Sequence, residues 1–167
     1  MKEQLVTDVV LAGHKVYALD EVTDELAAAA DAIVSIVDPE TTGAVQVSLS
    51  KERYLVLRFF DYDHDDLQSP QLDHVHELIA FAAKPGEKLL VRCYAGISRS
   101  TASLTIVLAY VTPELDYDAI FEAVYRIRPQ AWPNARLIAC VDKILKCEGQ
   151  FSAALARFRA SLTESDE

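Results

Sequence analysis

The sequence predicts an α/β fold: one domain with a central, mostly parallel sheet of about four to five strands, flanked by helices on both sides. Three observations lead there. Ala32 to Val37, Tyr54 to Phe60 and the run from Leu89 to Val91 are short and mostly apolar, the pattern of strands buried on both faces. Segments of helical spacing alternate with them, such as Leu72, Val75, Ile79 and Ala82. The chain of 167 residues, 51% hydrophobic and 25% charged with few Gly and Pro, is long enough for one sizeable core.

Taken in order, Leu5 to Leu11 is rich in β-formers and reads as a first strand, with a turn at Gly13-His14. Thr23 can cap a short helix from Asp24 to about Ala30. Ala32 to Val37 is the next strand, stopped by Asp38-Pro39, which makes a βαβ-like beginning. Val45 to Ser48 reads as a short strand before a polar turn at Ser50-Lys51-Glu52. After the strand from Tyr54 come Asp61, Asp63, Asp65 and Asp66, and then Ser69-Pro70, which predicts a helix start with Ser as cap. Pro85-Gly86 ends that helix. The segment from Ser100 to Tyr110 is apolar almost all round and predicts a central, buried helix. Asp116 and Asn134 stand where two further helices begin, carrying Ile120, Val124 and Ile127, and Leu137 and Val141. Arg128-Pro129 stops the first of these. Phe151, Leu155, Phe158 and Leu162 form one apolar stripe expected to pack back on the domain or on a partner, with fraying from Thr163 to Glu167.

Composition excludes several function classes. Sixteen Lys and Arg against 26 Asp and Glu give a net charge of −10, a poor balance for nucleic acid or an anionic membrane. Neither a basic-then-apolar leader nor an apolar run of membrane length is present, and three cysteines are too few for a secreted disulfide framework. A reduced, cytoplasmic compartment is expected.

The chemistry concentrates in Val91-Arg92-Cys93-Tyr94-Ala95-Gly96-Ile97-Ser98-Arg99-Ser100. A thiol stands between a strand end and a helix start, with a glycine in the turn. A loop entering a helix N-terminus turns successive N–H groups inward, and the helix dipole adds partial positive charge. Such a nest binds a tetrahedral anion and favours thiolate over thiol. Arg99 can add a planar fork to two anion oxygens. The stretch reads as a phosphate cradle, with Cys93 as nucleophile at its floor and the backbone of Tyr94, Ala95, Gly96, Ile97, Ser98 and Arg99 as its wall.

Cys93-x5-Arg99-Ser100, within Tyr94-Ala95-Gly96-Ile97-Ser98-Arg99-Ser100, resembles the signature loop of cysteine-dependent protein tyrosine and dual-specificity phosphatases. Arg128-Pro129 followed by Pro133-Asn134 resembles the helical end of the dual-specificity members. The resemblance runs from about Tyr54 to Leu145, and the first 50 residues match only in layout. It implies a phosphotyrosine phosphatase-like fold and phosphomonoester hydrolysis through a phosphocysteine, without metal or cofactor. It implies that the Ser100 hydroxyl donates to the sulfur and that a carboxylic acid upstream protonates the leaving oxygen. Asp61 directly follows its strand, at a separation from Cys93 typical of the family, and is the favoured acid, with Asp63 as the alternative. Protein phosphotyrosine is the leading substrate class and phosphoserine or phosphothreonine the next. A small phosphomonoester such as an inositol phosphate is a further alternative, although the loop interior has no lysine and Asp61 to Asp66 would repel a polyanion. Neither nucleic acid nor membrane is an expected partner, and the sequence leaves the oligomeric state open.

The family usually has His before the cysteine, where this chain has Arg92. A guanidinium only donates hydrogen bonds, so the loop is expected to be less braced, with Arg92 paired to an acid or reaching solvent along its stem. This departure motivates the rival reading, a phosphate-binding pseudophosphatase. His74 and His76 at i, i+2 do not share a helix face for one metal. Cys140 and Cys147 read as core packing, and Trp132 as a packing lid.

Overall fold

The computed structural model describes residues 1–42 and 52–165. Four parallel strands, β1 (Lys15–Ala18), β2 (Ala32–Val37), β3 (Tyr54–Arg58) and β4 (Leu89–Cys93), form one sheet in the order β1-β4-β2-β3. Because all four are parallel, their carboxyl ends meet at one edge. That edge carries Glu21 after β1, Asp38 after β2, Asp61 after β3 and Cys93 closing β4. In open α/β sheets this edge is where ligands bind.

The first element departs from expectation. Lys2–Leu11 is a helix, α1, and the edge strand β1 follows it after Gly13. Val6 and Val9, one turn apart, are buried in the main core, and ion pairs Lys2–Asp116 and Glu3–Arg126 tie α1 to the region of α5. Packing of one helical face overrides the β-leaning composition. The short α2 (Asp24–Ala29) starts as expected, with Thr23 Oγ1 accepting from the Leu26 N–H at 3.2 Å. The strand expected over Val45 to Ser48, and the residues Ser50 and Lys51 of the turn after it, lie outside the described residues.

The helices divide unevenly between the two faces. α2 packs Ala27 and Ala30 with Ile33 and Leu90 in a small cluster on one face. On the other, α1, α3 (Leu72–Ala82), α4 (Arg99–Val111), α5 (Tyr117–Ile127), α6 (Ala135–Leu145) and α7 (Gln150–Ser165) enclose the main core. The central helix α4 is buried from Arg99 through Leu108, as its all-round apolar sequence requires. α3 begins later than Ser69-Pro70 predicts. The Ser69 hydroxyl closes a turn on the Asp66 carbonyl at 2.7 Å, and the Gln71 N–H donates to His74 Nδ1 at 3.0 Å. Leu72 is consequently exposed and Leu78 fills the core in its place.

Asp116 and Asn134 cap α5 and α6 by accepting from the N–H groups of Ala119 and Leu137. The C-terminal stripe packs back on the domain, with Phe151 stacked on Tyr117 and edge-on to Phe121. Asp142 anchors the start of α7, accepting from the Phe151 and Ser152 N–H groups, the Ser152 hydroxyl and the Cys147 thiol. Burial raises the Asp142 carboxyl, and these donors outweigh it and hold the group below its usual range.

Candidate active site

The loop after β4 is built from its backbone outward. The carbonyl of Tyr94 accepts from the Leu19 N–H at 3.4 Å, that of Ile97 from the Trp132 N–H at 2.9 Å, and that of Ser98 from the Asn134 N–H at 3.1 Å. Between them, Arg128 donates through Nε to the Gly96 carbonyl at 3.0 Å and through Nη2 to the Ala95 carbonyl at 3.4 Å. Every carbonyl from Tyr94 to Ser98 is thus held outward by a neighbour. In a trans peptide the following N–H points the opposite way, so the amides of Ala95 to Arg99 turn into the bowl. Gly96 has φ +67°, and a Cβ there would lie 2.6 Å from the backbone of Tyr17 and Ala18 and 2.7 Å from Arg128 Nη2. Only glycine fits the close approach of loop to β1.

Cys93 lies at the floor of this bowl, 2% exposed, with Sγ 3.1 Å from the Ser100 hydroxyl oxygen. Arg99 is buried, and its Nη1 donates to Asp38 Oδ1 and to the Phe59 carbonyl, both at 2.8 Å. Both bonds fall on one nitrogen. The other edge of the guanidinium, Nε and Nη2, has no partner among the described residues and retains the paired donors that match a phosphate.

The two candidate acids separate clearly. Asp61 Oδ1 accepts from the Ser98 hydroxyl at 2.7 Å and from Asn134 Nδ2 at 2.8 Å, which brings its carboxylate to the rim of the loop. Asp63 Oδ1 instead accepts from the Ala135 N–H at 3.0 Å, at the start of α6. Asp65 pairs with Arg136 away from the loop.

Arg92 does not reach solvent. It is 4% exposed, on the sheet face opposite to Cys93, and its bonds include Nε to the Ser35 hydroxyl at 2.7 Å and Nη1 to the Leu19 carbonyl at 3.4 Å. Leu19 in turn holds Tyr94, so Arg92 supports the loop at one remove. Four contributors escape sequence reading: Asp38, Glu21, Arg128 and the side chain of Asn134. Asp38 reads only as an element stop, and Arg128 and Asn134 as helix boundaries within the stretch that resembles the family's helical end, with no contact to the loop implied. Their partners lie far away in sequence.

The remaining candidates take other places. Cys140 is buried in the main core and Cys147 donates to Asp142; burial pushes both thiols up. Trp132 stacks under the Arg159 guanidinium at 4.7 Å, and its N–H is a prop of the loop. Among the described residues no three His, Cys, Asp or Glu are grouped to hold a metal ion, and no helix is long and apolar enough to cross a membrane.

A parallel sheet whose central strand delivers a thiol into a donor-lined bowl, with an arginine behind and a carboxylate at the rim, is an arrangement suited to a tetrahedral anion. The model of the dual specificity phosphatase catalytic domain matches residues 20–144, and the chain belongs to that family. It is 29% identical over 116 residues to the tyrosine-protein phosphatase yvh1 of Schizosaccharomyces pombe, covering 68% of this chain and 34% of that one. It is 30% identical over 96 residues to the MAP kinase phosphatase with leucine-rich repeats protein 2 of Dictyostelium discoideum, covering 56% of this chain and 13% of that one. This chain therefore spans about a third of the length of the first of these relatives and less of the second. A point variant of human DUSP28 superposes with a TM-score of 0.58 at 25% identity, covering 78% of this chain and 90% of that one.

Proposed function

We propose that this chain hydrolyses phosphomonoesters, with phosphotyrosine in proteins as the leading substrate and phosphoserine or phosphothreonine next, in a reducing cytoplasmic compartment. The observation that carries the reading is the Cys93 sulfur at the floor of the bowl, 3.1 Å from Ser100 Oγ, with Asp61 held at the rim by Ser98 and Asn134. The Cys93 thiolate attacks phosphorus and forms a P–S bond as the P–O bond to the leaving group breaks. Asp61 gives its proton to the departing oxygen. The inward amides and the free edge of Arg99 carry the equatorial oxygens. In the second step the Asp61 carboxylate takes a proton from water, whose oxygen attacks phosphorus. The P–S bond breaks, and the Ser100 hydroxyl donates to the returning thiolate. No metal or cofactor enters this scheme.

The pseudophosphatase reading would be favoured by Asp61 and Asp63 both lying far from Cys93, with Arg99 turned away. The bond from the Ser98 hydroxyl of the loop to Asp61 speaks for the enzyme reading. The test is turnover of p-nitrophenyl phosphate and of phosphotyrosyl and phosphoseryl peptides. Cys93→Ser is expected to abolish turnover and still bind vanadate. Turnover surviving in that variant removes Cys93 from the mechanism.

A further inference from the structure

The loop carries a clamp that the chemistry above does not use. Arg128, at the end of α5, reaches 33 and 32 residues back to the Ala95 and Gly96 carbonyls. Its Nη2 also donates to Glu21 Oε1 at 2.8 Å and its Nη1 to Glu21 Oε2 at 3.4 Å, a two-point pairing of fork with carboxylate. Glu21 Oε1 accepts from the Ala18 N–H at 2.8 Å, where β1 ends. Only 12% of the Arg128 side chain is exposed, against 42% for Glu21. The chain of bonds thus runs from the end of β1 through Glu21 and Arg128 to the two peptides at the tip of the loop. Ala18 is also the backbone against which Gly96 is pressed.

We propose that the Arg128–Glu21 pair is a positioning device for the phosphate loop: it turns the Ala95 and Gly96 carbonyls out of the bowl and so aims the Gly96 and Ile97 amides at the ligand. The proposal rests on the reading of the loop as a phosphate site. Neither residue touches substrate. A carbonyl that swung inward would replace a donor by a partial negative charge facing an anion, so the effect is felt on binding and on rate together. With Arg92 confined to the opposite sheet face, this pair is the side-chain brace on the loop tip itself. Lys at 128 would keep the charge but cannot hold two carbonyls and a carboxylate at once.

The test compares wild type with Arg128→Ala, Arg128→Lys, Glu21→Gln and the double variant Arg128→Ala/Glu21→Gln. Steady-state kinetics on p-nitrophenyl phosphate, vanadate affinity, melting temperature and backbone NMR order parameters are measured for each. Arg128→Ala is expected to lower kcat/KM by about 10- to 100-fold, the cost of a small misplacement at a preorganised site. Vanadate affinity should fall with it. The order parameters of Ala95 to Ile97 should drop from the rigid range near 0.85 towards 0.6 while those of the sheet hold. Arg128→Lys should not rescue, Glu21→Gln should lose roughly 3- to 10-fold, and the double variant should be no worse than Arg128→Ala, since the pair acts as one unit. Unchanged loop order with kcat/KM within about twofold in Arg128→Ala overturns the proposal, as do additive losses in the double variant. Where Arg128→Ala does not fold, the Glu21→Gln loop dynamics decide. A wild type that neither binds vanadate nor turns over substrate defeats the phosphatase reading instead, and the order parameters still decide the clamp.

Discussion

Strand β4 presents two faces that are held in different ways. Leu89, Val91 and Cys93 look into the main core, where α4 and its neighbours pack apolar side chains. Leu90 and Arg92 look the other way, into a small cluster under α2, where Ser35 joins the Arg92 guanidinium to the Tyr54 hydroxyl. The Cys93 thiol is thus placed by dense apolar packing that fixes the strand within a close-fitted layer. The opposite face depends on a buried polar network beside a thinner layer. In one strand, rigidity at the sulfur comes from packing, and the charge one residue earlier is accommodated by hydrogen bonds.

That contrast can be broken most forcefully at its ends. Cys93→Ser should remove turnover entirely, whereas Arg92→Met, one residue away on the other face, should keep measurable turnover. Equal loss in both would mean the two faces do not act separately. A smaller effect concerns stability. Ile36 and Ile33 are the same residue on the same strand, both fully buried, on the main and the minor face respectively. Urea unfolding should give about 4 kcal/mol for Ile36→Ala and about 2–3 kcal/mol for Ile33→Ala, because the thinner layer collapses more readily around the cavity. The reverse order would show that α2 packs as tightly as the helices opposite.

Smaller again is Arg92→His. The guanidinium spans Ser35 and the Leu19 carbonyl, and imidazole is too short to keep both, so denaturation should show a loss of about 1 kcal/mol. A more stable histidine variant would make Arg92 a burden on the fold.

The weakest expected effect is on pH. Burial holds His14 and His74 below their usual value of 6.5, with Glu77 and Asp73 opposing this at His74. Each accepts an N–H through Nδ1, from Leu89 and Gln71. The unfolded chain therefore takes up protons near pH 6.5 before the folded one does. Their contribution is complete above that value and declines as pH falls below it, towards the folded-state values. Unfolding midpoints between pH 5 and 8 should show this slope, and His14→Gln, which keeps an acceptor for Leu89, should flatten it. An unchanged slope in His14→Gln and His74→Gln alike would place the titration elsewhere.

Much of the fold was legible because local and tertiary demands agreed. Thr23, Asp116 and Asn134 cap where their residue types predict, and β2 and α4 are so apolar that only burial suits them. The first residues misled because Leu5 to Leu11 carries β-formers, while the ion pairs and the Val6–Val9 face that make it helical involve partners more than a hundred residues away. β1 has four residues, too few for a pattern. In the site, Cys93, Arg99 and the loop were visible as one contiguous stretch. Asp61 ranks over Asp63 by its place directly after the strand; its contacts with Asn134 and Ser98 join residues far apart in sequence and are not legible there. The pairings of Asp38 with Arg99 and of Glu21 with Arg128 were not visible, because an ion pair across such sequence separations leaves no local periodicity or cap signal.

The outward carbonyls of the phosphate loop have a consequence for which ionic form of a ligand it admits. A phosphate monoester that keeps one proton presents an O–H, and that group needs an acceptor. With the Tyr94 to Ser98 carbonyls all engaged outside the bowl, its backbone wall offers donors alone. On the phosphatase reading, the hydroxyl of a monoanion finds no acceptor on the backbone wall, whereas each terminal oxygen of the dianion can accept from it. On that reading, the loop would favour the fully ionised ligand. Affinity for inert phosphate analogues should climb as pH rises through their second ionisation, which for phosphate esters lies near about 6.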